Sequence, residues 1–224
     1  NTHATHTSNR TGPIMNTIKF KLSGDCIMLQ NGQTANPRNQ YAKRLKELNK
    51  DKKRKGADVD AILDKMADVE VESCLYWRDD MGLYLPADNI RAAFIDGAKL
   101  SRGGANVKRY CFVTGPAKLE YTGPQDVAGI VADKQFHYEG IVKVGMVKVP
   151  KTRAVVRDWS CVVEIGLMPG DVIDERDVIK YMTDAGLYCG IGASRTYGFG
   201  RFDVQVADAK GKFPKRKSTA AAAK

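Results

Sequence analysis

The stretch GIGASRTYGFGRF, residues 190–202, carries four glycines and two arginines, and its place between two patterned segments decides the fold. A dinucleotide cradle needs G-x-G-x-x-G, but after Gly190 and Gly192 it is Arg195 that occupies the third glycine's position, and the Walker spelling G-x-x-x-x-G-K-[ST] is absent. In both nucleotide folds the loop leaves a strand and opens a helix. Here the helix-patterned run DERDVIKYMTDAG precedes the loop and the alternating run RFDVQV follows it. A helix-to-strand junction is the wrong way round for either nucleotide site.

The neighbouring segments extend the pattern in both directions. DERDVIKYMTDAG opens on acidic residues that suit a helix N-terminus, sets Val178, Met182 and Ala185 on one stripe and stops at Gly186. WSCVVEIGL alternates Trp159, Cys161, Val163, Ile165 and Leu167 with smaller or polar residues, which predicts a core strand. GIVKVGMVKVPKTRAVV reads as a hairpin-like ribbon, and KRYCFVTGPAKLEYTG as a strand bent at Gly115-Pro116. Pro86 followed by ADNIRAAFIDGAKL places Ile90, Phe94, Gly97 and Ala98 on one helical stripe. LYW and GLYLP give short extended pieces. Near the start, TIKFKLSGDCIML alternates Ile18, Phe20 and Leu22 with Lys19, Lys21 and Ser23. Between this strand and the extended pieces, residues 31–70 form a polar, charged insertion with helical spacing in AKRLKEL and VDAILDKMADV and a break at Lys55-Gly56. Its lack of a wide apolar stripe predicts a unit that adds little burial to the core.

Without the insertions the order is β, α, β, β, α, β, the split-βαβ ferredoxin-like plan of the α+β class. A glycine-rich loop between the second helix and the last strand, closing on Phe199-Gly200, resembles the RAMP superfamily, the repeat-associated RNA-binding proteins of CRISPR systems. The proline-led helix at Pro86 and the long insertion after the first strand are similar to the subunits that form the backbone of CRISPR effectors and line guide RNA. The run Thr152-Arg153, then Trp159, then the glycine-rich close also resembles small bacteriophage proteins. The resemblance covers about residues 15–206 and rests on short motifs. It implies an RRM-like or RAMP-type domain over 15–208, with the charged insertion and a β-hairpin extension. It further implies binding of single-stranded RNA or DNA, with copies repeated along the strand.

Charge bears on that expectation. The chain has 224 residues and a net charge of +10, long enough for one medium domain with a substantial core. Residues 38–55 hold nine basic against two acidic side chains, and residues 210–224 hold six basic and none acidic. With Arg10, these segments carry +14 of a net +10, so the remainder carries −4. Any polyanion must therefore meet local basic clusters rather than a uniformly positive surface; a solvated charged arm is the alternative for these runs. Residues 1–14 read as a non-periodic tail outside the domain, and 209–224 as a basic, disordered tail. No apolar run approaches the roughly 18 residues of a membrane span, and no secretory leader is legible. Five single cysteines without a C-x-x-C pair argue against a zinc ribbon or a disulfide framework and point to a reducing, cytoplasmic setting, which the resemblance implies is that of a bacterial host cell. No cofactor motif is present.

Three basic clusters are candidate nucleic-acid contacts. In the loop, glycines such as Gly192 let backbone N–H groups approach phosphate or sugar oxygens, Arg195 and Arg201 add charge, and Tyr197 could stack on a base. The alternative is a tight turn with close helix–sheet packing, and Phe199 reads as a core residue. In the ribbon lie Lys143, Lys148, Lys151, Arg153 and Arg157, either clasping a strand or guarding a sheet edge. The third cluster is Arg91, Lys99, Arg102, Lys108 and Arg109. Ribbon and loop are expected to face one groove.

Catalysis has one weak candidate, His137 beside Tyr138 in QFHYEG, because metal-independent RNA cleavage in the resembled superfamily commonly uses a histidine base. Adjacent Asp79-Asp80 read as a turn, and no histidine–cysteine set marks a metal site. The reading is a non-catalytic binder; the alternatives are a metal-independent endoribonuclease, or a phage interaction protein acting on a CRISPR or replication complex.

Overall fold

The computed structural model describes residues 16–29, 36–144, 146–208 and 210–214. Of the two expected tails, 1–14 lies outside these residues, and 209–224 lies outside them except for 210–214. The protein is α+β, with helices packed against antiparallel sheets.

The first strand, β1 (Asn16–Met28), pairs antiparallel with β7 (Val147–Leu167) from Asn16↔Leu167 to Met28↔Val155. On one side β4 (Cys111–Val113) pairs with β7, and on the other β8 (Asp203–Val206) pairs with β1, so the sheet runs β4-β7-β1-β8. The ribbon expected from sequence is β6 (His137–Val144) against the first half of β7. Ribbon and core strand are thus one strand of 21 residues, where the alternation suggested two elements.

Both central strands turn over at one level. β1 sends Ile18, Phe20 and Leu22 into the core and then Ile27, while β7 sends Val156 and then Trp159. Even and odd positions exchange roles in each strand, which strict two-residue alternation forbids. Asp158, at φ +47°, is the left-handed residue that rotates β7, and pairing resumes on both sides as Gly24↔Trp159 and Cys26↔Arg157. The switch keeps the apolar side chains of both halves on one core.

Helix α3 (Ala87–Lys99) buries Ile90, Phe94, Gly97 and Ala98, the stripe expected after Pro86. It packs on α6 (Glu175–Asp184), whose N-terminus is closed by a capping box between Asp174 and Asp177. The two helices meet backbone to backbone: a Cβ at Gly97 would lie 2.2 Å from the carbonyl oxygen of Tyr181. Instead of ending at Gly186, the helical path continues as a wider turn to Cys189 and is terminated by Gly190 at φ +75°.

Two segments differ from the sequence reading. KRY is not strand: α4 (Gly104–Tyr110) contains it, and only Cys111–Val113 joins the main sheet. Past Gly115-Pro116 the chain leaves for a separate three-stranded sheet, in which β5 (Ala117–Lys118) pairs with β3 (Gly82–Leu85), itself paired with β2 (Trp77–Arg78). A short helix, α5 (Val127–Ala132), follows.

The charged insertion folds as the helical hairpin its spacing suggests, α1 (Gln40–Asp51) and α2 (Val59–Glu72), with Gly56 at φ +80° between them. The expectation of little burial fails at its C-terminal end. Within 31–70, Leu45, Val69 and Glu70 are buried, and directly beyond it α2 and the following turn bury Val71, Cys74 and Leu75. Glu70 is buried because it is satisfied: it accepts the Thr152 backbone N–H at 2.7 Å and pairs with Lys151 at 2.5 Å, fastening α2 to β7.

Candidate nucleic-acid interface

The glycine-rich loop is held from three directions, and those anchors define the candidate site. At its base, the Ala193 N–H donates to the Met28 carbonyl and the Gly200 N–H to the Cys26 carbonyl, each at 2.8 Å, stitching the loop to the end of β1. Across the loop, the Ile191 N–H donates to the Gly200 carbonyl at 2.8 Å. This closeness accounts for the glycines at two positions: Gly192, at φ +88°, would place a Cβ 2.4 Å from the Met28 carbonyl oxygen, and Gly200, at φ +73°, one 1.8 Å from that of Ile191. Gly192 is buried, so its role is close packing of the loop.

The second anchor is electrostatic. Arg195 Nη1 donates to Asp96 Oδ2 at 2.9 Å, and Lys99 Nζ reaches Asp96 Oδ1 at 2.7 Å. Burial alone would raise the Asp96 carboxyl, but the bonds and charges of Lys99 and Arg195 outweigh it and hold the group below its ordinary value. Two of the sequence-predicted cations, from different clusters, therefore converge on one aspartate of α3.

The third anchor is aromatic. Phe199 packs edge-on against Tyr138 of β6, with ring centroids 5.1 Å apart, and rests on Met28, Val155 and Ala193. Phe199 is half-buried, as its reading as a core residue anticipated. Tyr138 lies opposite Arg153 in the register, and opposed residues of an antiparallel pair share a face. Val155, two residues further along β7, lies on that face too. Phe199 of the loop and Arg153 are thus on the same side of the ribbon. Tyr197 stands between the anchors, 84% exposed.

The remaining predicted cations have varied surroundings. Lys151 is engaged by Glu70 and Arg157 Nη1 by the Gln135 carbonyl. Arg91 Nη2 donates to the Lys108 carbonyl at 3.4 Å, while Arg102, Lys108 and Arg109 are exposed around α4. Lys148 is exposed and lies opposite Lys143 in the register; the Lys143 side chain lies outside the described residues. Arg201 is half-buried just beyond Gly200. What sequence reasoning missed is Asp96, 99 residues from Arg195; no local pattern links the two.

His137 Nε2 donates to the Val131 carbonyl oxygen at 2.8 Å, a bond that orients the ring toward α5 rather than toward the loop. The cysteine thiols offer no activated nucleophile: burial pushes Cys161 up to about 12 and Cys74 and Cys111 up to about 11, and raises Cys26 and Cys189 as well. Among the described residues no group of three metal-ligating side chains comes together, and no helix is long and apolar enough to cross a membrane.

No protein family and no curated protein matches the chain. Among solved structures, Cmr6 from Pyrococcus furiosus is similar at a TM-score of 0.29 and 14% identity, over 84% of this chain and 97% of that one. A likeness this loose carries no argument about this chain.

Proposed function

We propose that the protein is a RAMP-type, ferredoxin-like domain that binds single-stranded RNA or DNA without cleaving it, as repeated subunits along the strand. The sheet order β4-β7-β1-β8 with α3 and α6 against it supports the βαββαβ reading, since β1, β4, β7 and β8 are then its four strands in chain order. The run from Thr152-Arg153 through Trp159 to the glycine-rich loop supports a bacteriophage relative acting in the host cytoplasm. One observation carries the functional reading: the loop ties α3 to the ribbon through Arg195–Asp96 and Phe199–Tyr138, leaving Tyr197 exposed between two cation-bearing surfaces. An exposed ring flanked by cations suits a flexible polyanion whose bases are free to stack.

Charge and stacking make separable contributions. Arg153→Ala should weaken binding of every oligonucleotide and lower the salt slope by about one phosphate. Tyr197→Ala should cost about 1–3 kcal/mol and leave the slope nearly unchanged, because a neutral ring releases no counterion. Titrating the parent and both variants against one labelled single strand at several salt concentrations checks this. Folded variants that both bind like the parent would refute the interface and favour a role in protein interaction.

A further inference from the structure

The last described residues, up to Pro214, do not leave the domain but turn back over it. Just past β8 the Ala207 N–H donates to the Lys19 carbonyl at 3.0 Å, so the chain stays laid against β1 to that point. It then reverses. The Asp208 N–H donates to the Lys212 carbonyl at 2.8 Å, and Asp208 Oδ1 accepts the backbone N–H groups of Lys210 and Lys212 at 2.9 and 2.8 Å. Phe213 and Pro214 consequently share one depression with Val206 and Ala207. They also line, with Gln205 and Asp203, a cleft of about 650 Å³.

This cleft lies on the face of the main sheet turned away from α3 and α6. Phe20 and Leu22 enter the core on the helix side, so Lys21 and Ser23 point the other way. Gln205 and Asp203 stand opposite them in the register and share that face. Past Asp203 the wall continues to Asp25 and Asp158, at the level where β1 and β7 turn over. All three aspartates are exposed. Lys21 Nζ lies 4.0 Å from Glu120, which takes up part of its charge, and the other cation of the wall is the half-buried Arg201. Such a wall repels phosphate and attracts cations.

The chain itself supplies the cations. Pro214 is followed by Lys215, Arg216 and Lys217, which lie outside the described residues. After the reversal the backbone heads back along β8, from the level of Ala207 toward that of Asp203. Three further residues extend about 10 Å, more than the roughly 7 Å of strand between Gln205 and Asp203. Cations tethered this close meet the carboxylates at a high effective concentration.

We infer that Lys215, Arg216 and Lys217 dock in this cleft of their own chain, against Asp203, Asp25 and Asp158, completing a cover over the sheet that Phe213 and Pro214 begin. The docked segment replaces the disorder expected from its composition, and the inference does not rest on the single-strand reading. It adds that these three cations belong to the sheet face and not to the face between loop and ribbon.

Nuclear spin relaxation of the ¹⁵N-labelled full chain tests the docking. At about 0.01 M ionic strength, where charges act over about 30 Å, the amide order parameters of residues 215–217 should stay above about 0.6, the bound for flexible backbone. At about 1 M salt, where that length is about 3 Å, they should fall below it. Asp25→Asn combined with Asp158→Asn should free the segment at low salt as well. Asparagine tolerates the left-handed backbone at position 158, so the turn is kept. Order parameters below the bound in the parent at low salt would overturn the docking, as would values that stay high at high salt or in the double variant. Restraint that is lost on dilution would assign the cleft to the segment of a second copy and overturn the contact within one chain.

Discussion

Gly200→Ala should destabilise the protein by about 3 kcal/mol, the combination of a left-handed backbone forced on a residue with a Cβ and an overpacked contact. The new Cβ would sit 1.8 Å from the Ile191 carbonyl oxygen, in a backbone that cannot yield like a flexible side chain. At about 2–4 °C per kcal/mol for a chain of this size, the melting temperature should fall by about 6–12 °C. Gly198→Ala is the matched control: φ is +91° but nothing lies within 4 Å of the added carbon. It should lose only the conformational part, about 1 kcal/mol. Equal losses in thermal unfolding would show that the loop is not closed on itself as described.

Glu70→Ala should cost about 2–4 kcal/mol and loosen the base of the ribbon. It strands the buried Thr152 N–H, which alone is worth about 1–3 kcal/mol. Lys151 loses its partner too, but its side chain is 33% exposed and can turn to water, so the full penalty of a stranded charge, about 3–5 kcal/mol, is not incurred. Glu70→Gln keeps an acceptor for Thr152 and should lose about half as much. Urea unfolding compares the variants, and amide exchange at Thr152 localises the effect; an Ala variant as stable as the parent would mean that α2 is not fastened to β7.

That second result bears on how far the sequence could be read. The strands were legible because each has one face on the core: Ile18, Phe20 and Leu22, or Trp159 through Leu167, alternate as a half-buried strand must. The stripe on α3 was legible for the same reason. Glu70 was not, because within a charged segment a buried acid looks like its solvated neighbours, and its partners Lys151 and Thr152 lie some eighty residues away. The face switch at Asp158 was hidden as well. Left-handed aspartates carry no spelling of their own, and the residues on either side keep the pattern of an ordinary strand.

The candidate site divides along the same line. The glycine-rich loop, Tyr197 and the basic ribbon are local features, and the structure brings loop and Arg153 to one face. Which cations are already engaged could be learned only from contacts made across the fold. Arg195 meets Asp96, Lys151 meets Glu70 and Arg157 meets the Gln135 carbonyl. Under the proposed function, Tyr197 and Arg153 would therefore carry more of the contact than a count of basic residues implied, while Arg195 holds the loop on α3.

Photochemical cross-linking tests the central claim most directly. A single-stranded RNA containing 4-thiouridine, irradiated with the full chain and mapped by mass spectrometry, should form adducts on the peptides bearing Tyr197 and Tyr138, and excess unlabelled single strand should compete them away. Adducts confined to α1 and α2, or none under conditions where a known single-strand binder is labelled, would contradict a strand-binding face between the glycine-rich loop and the ribbon.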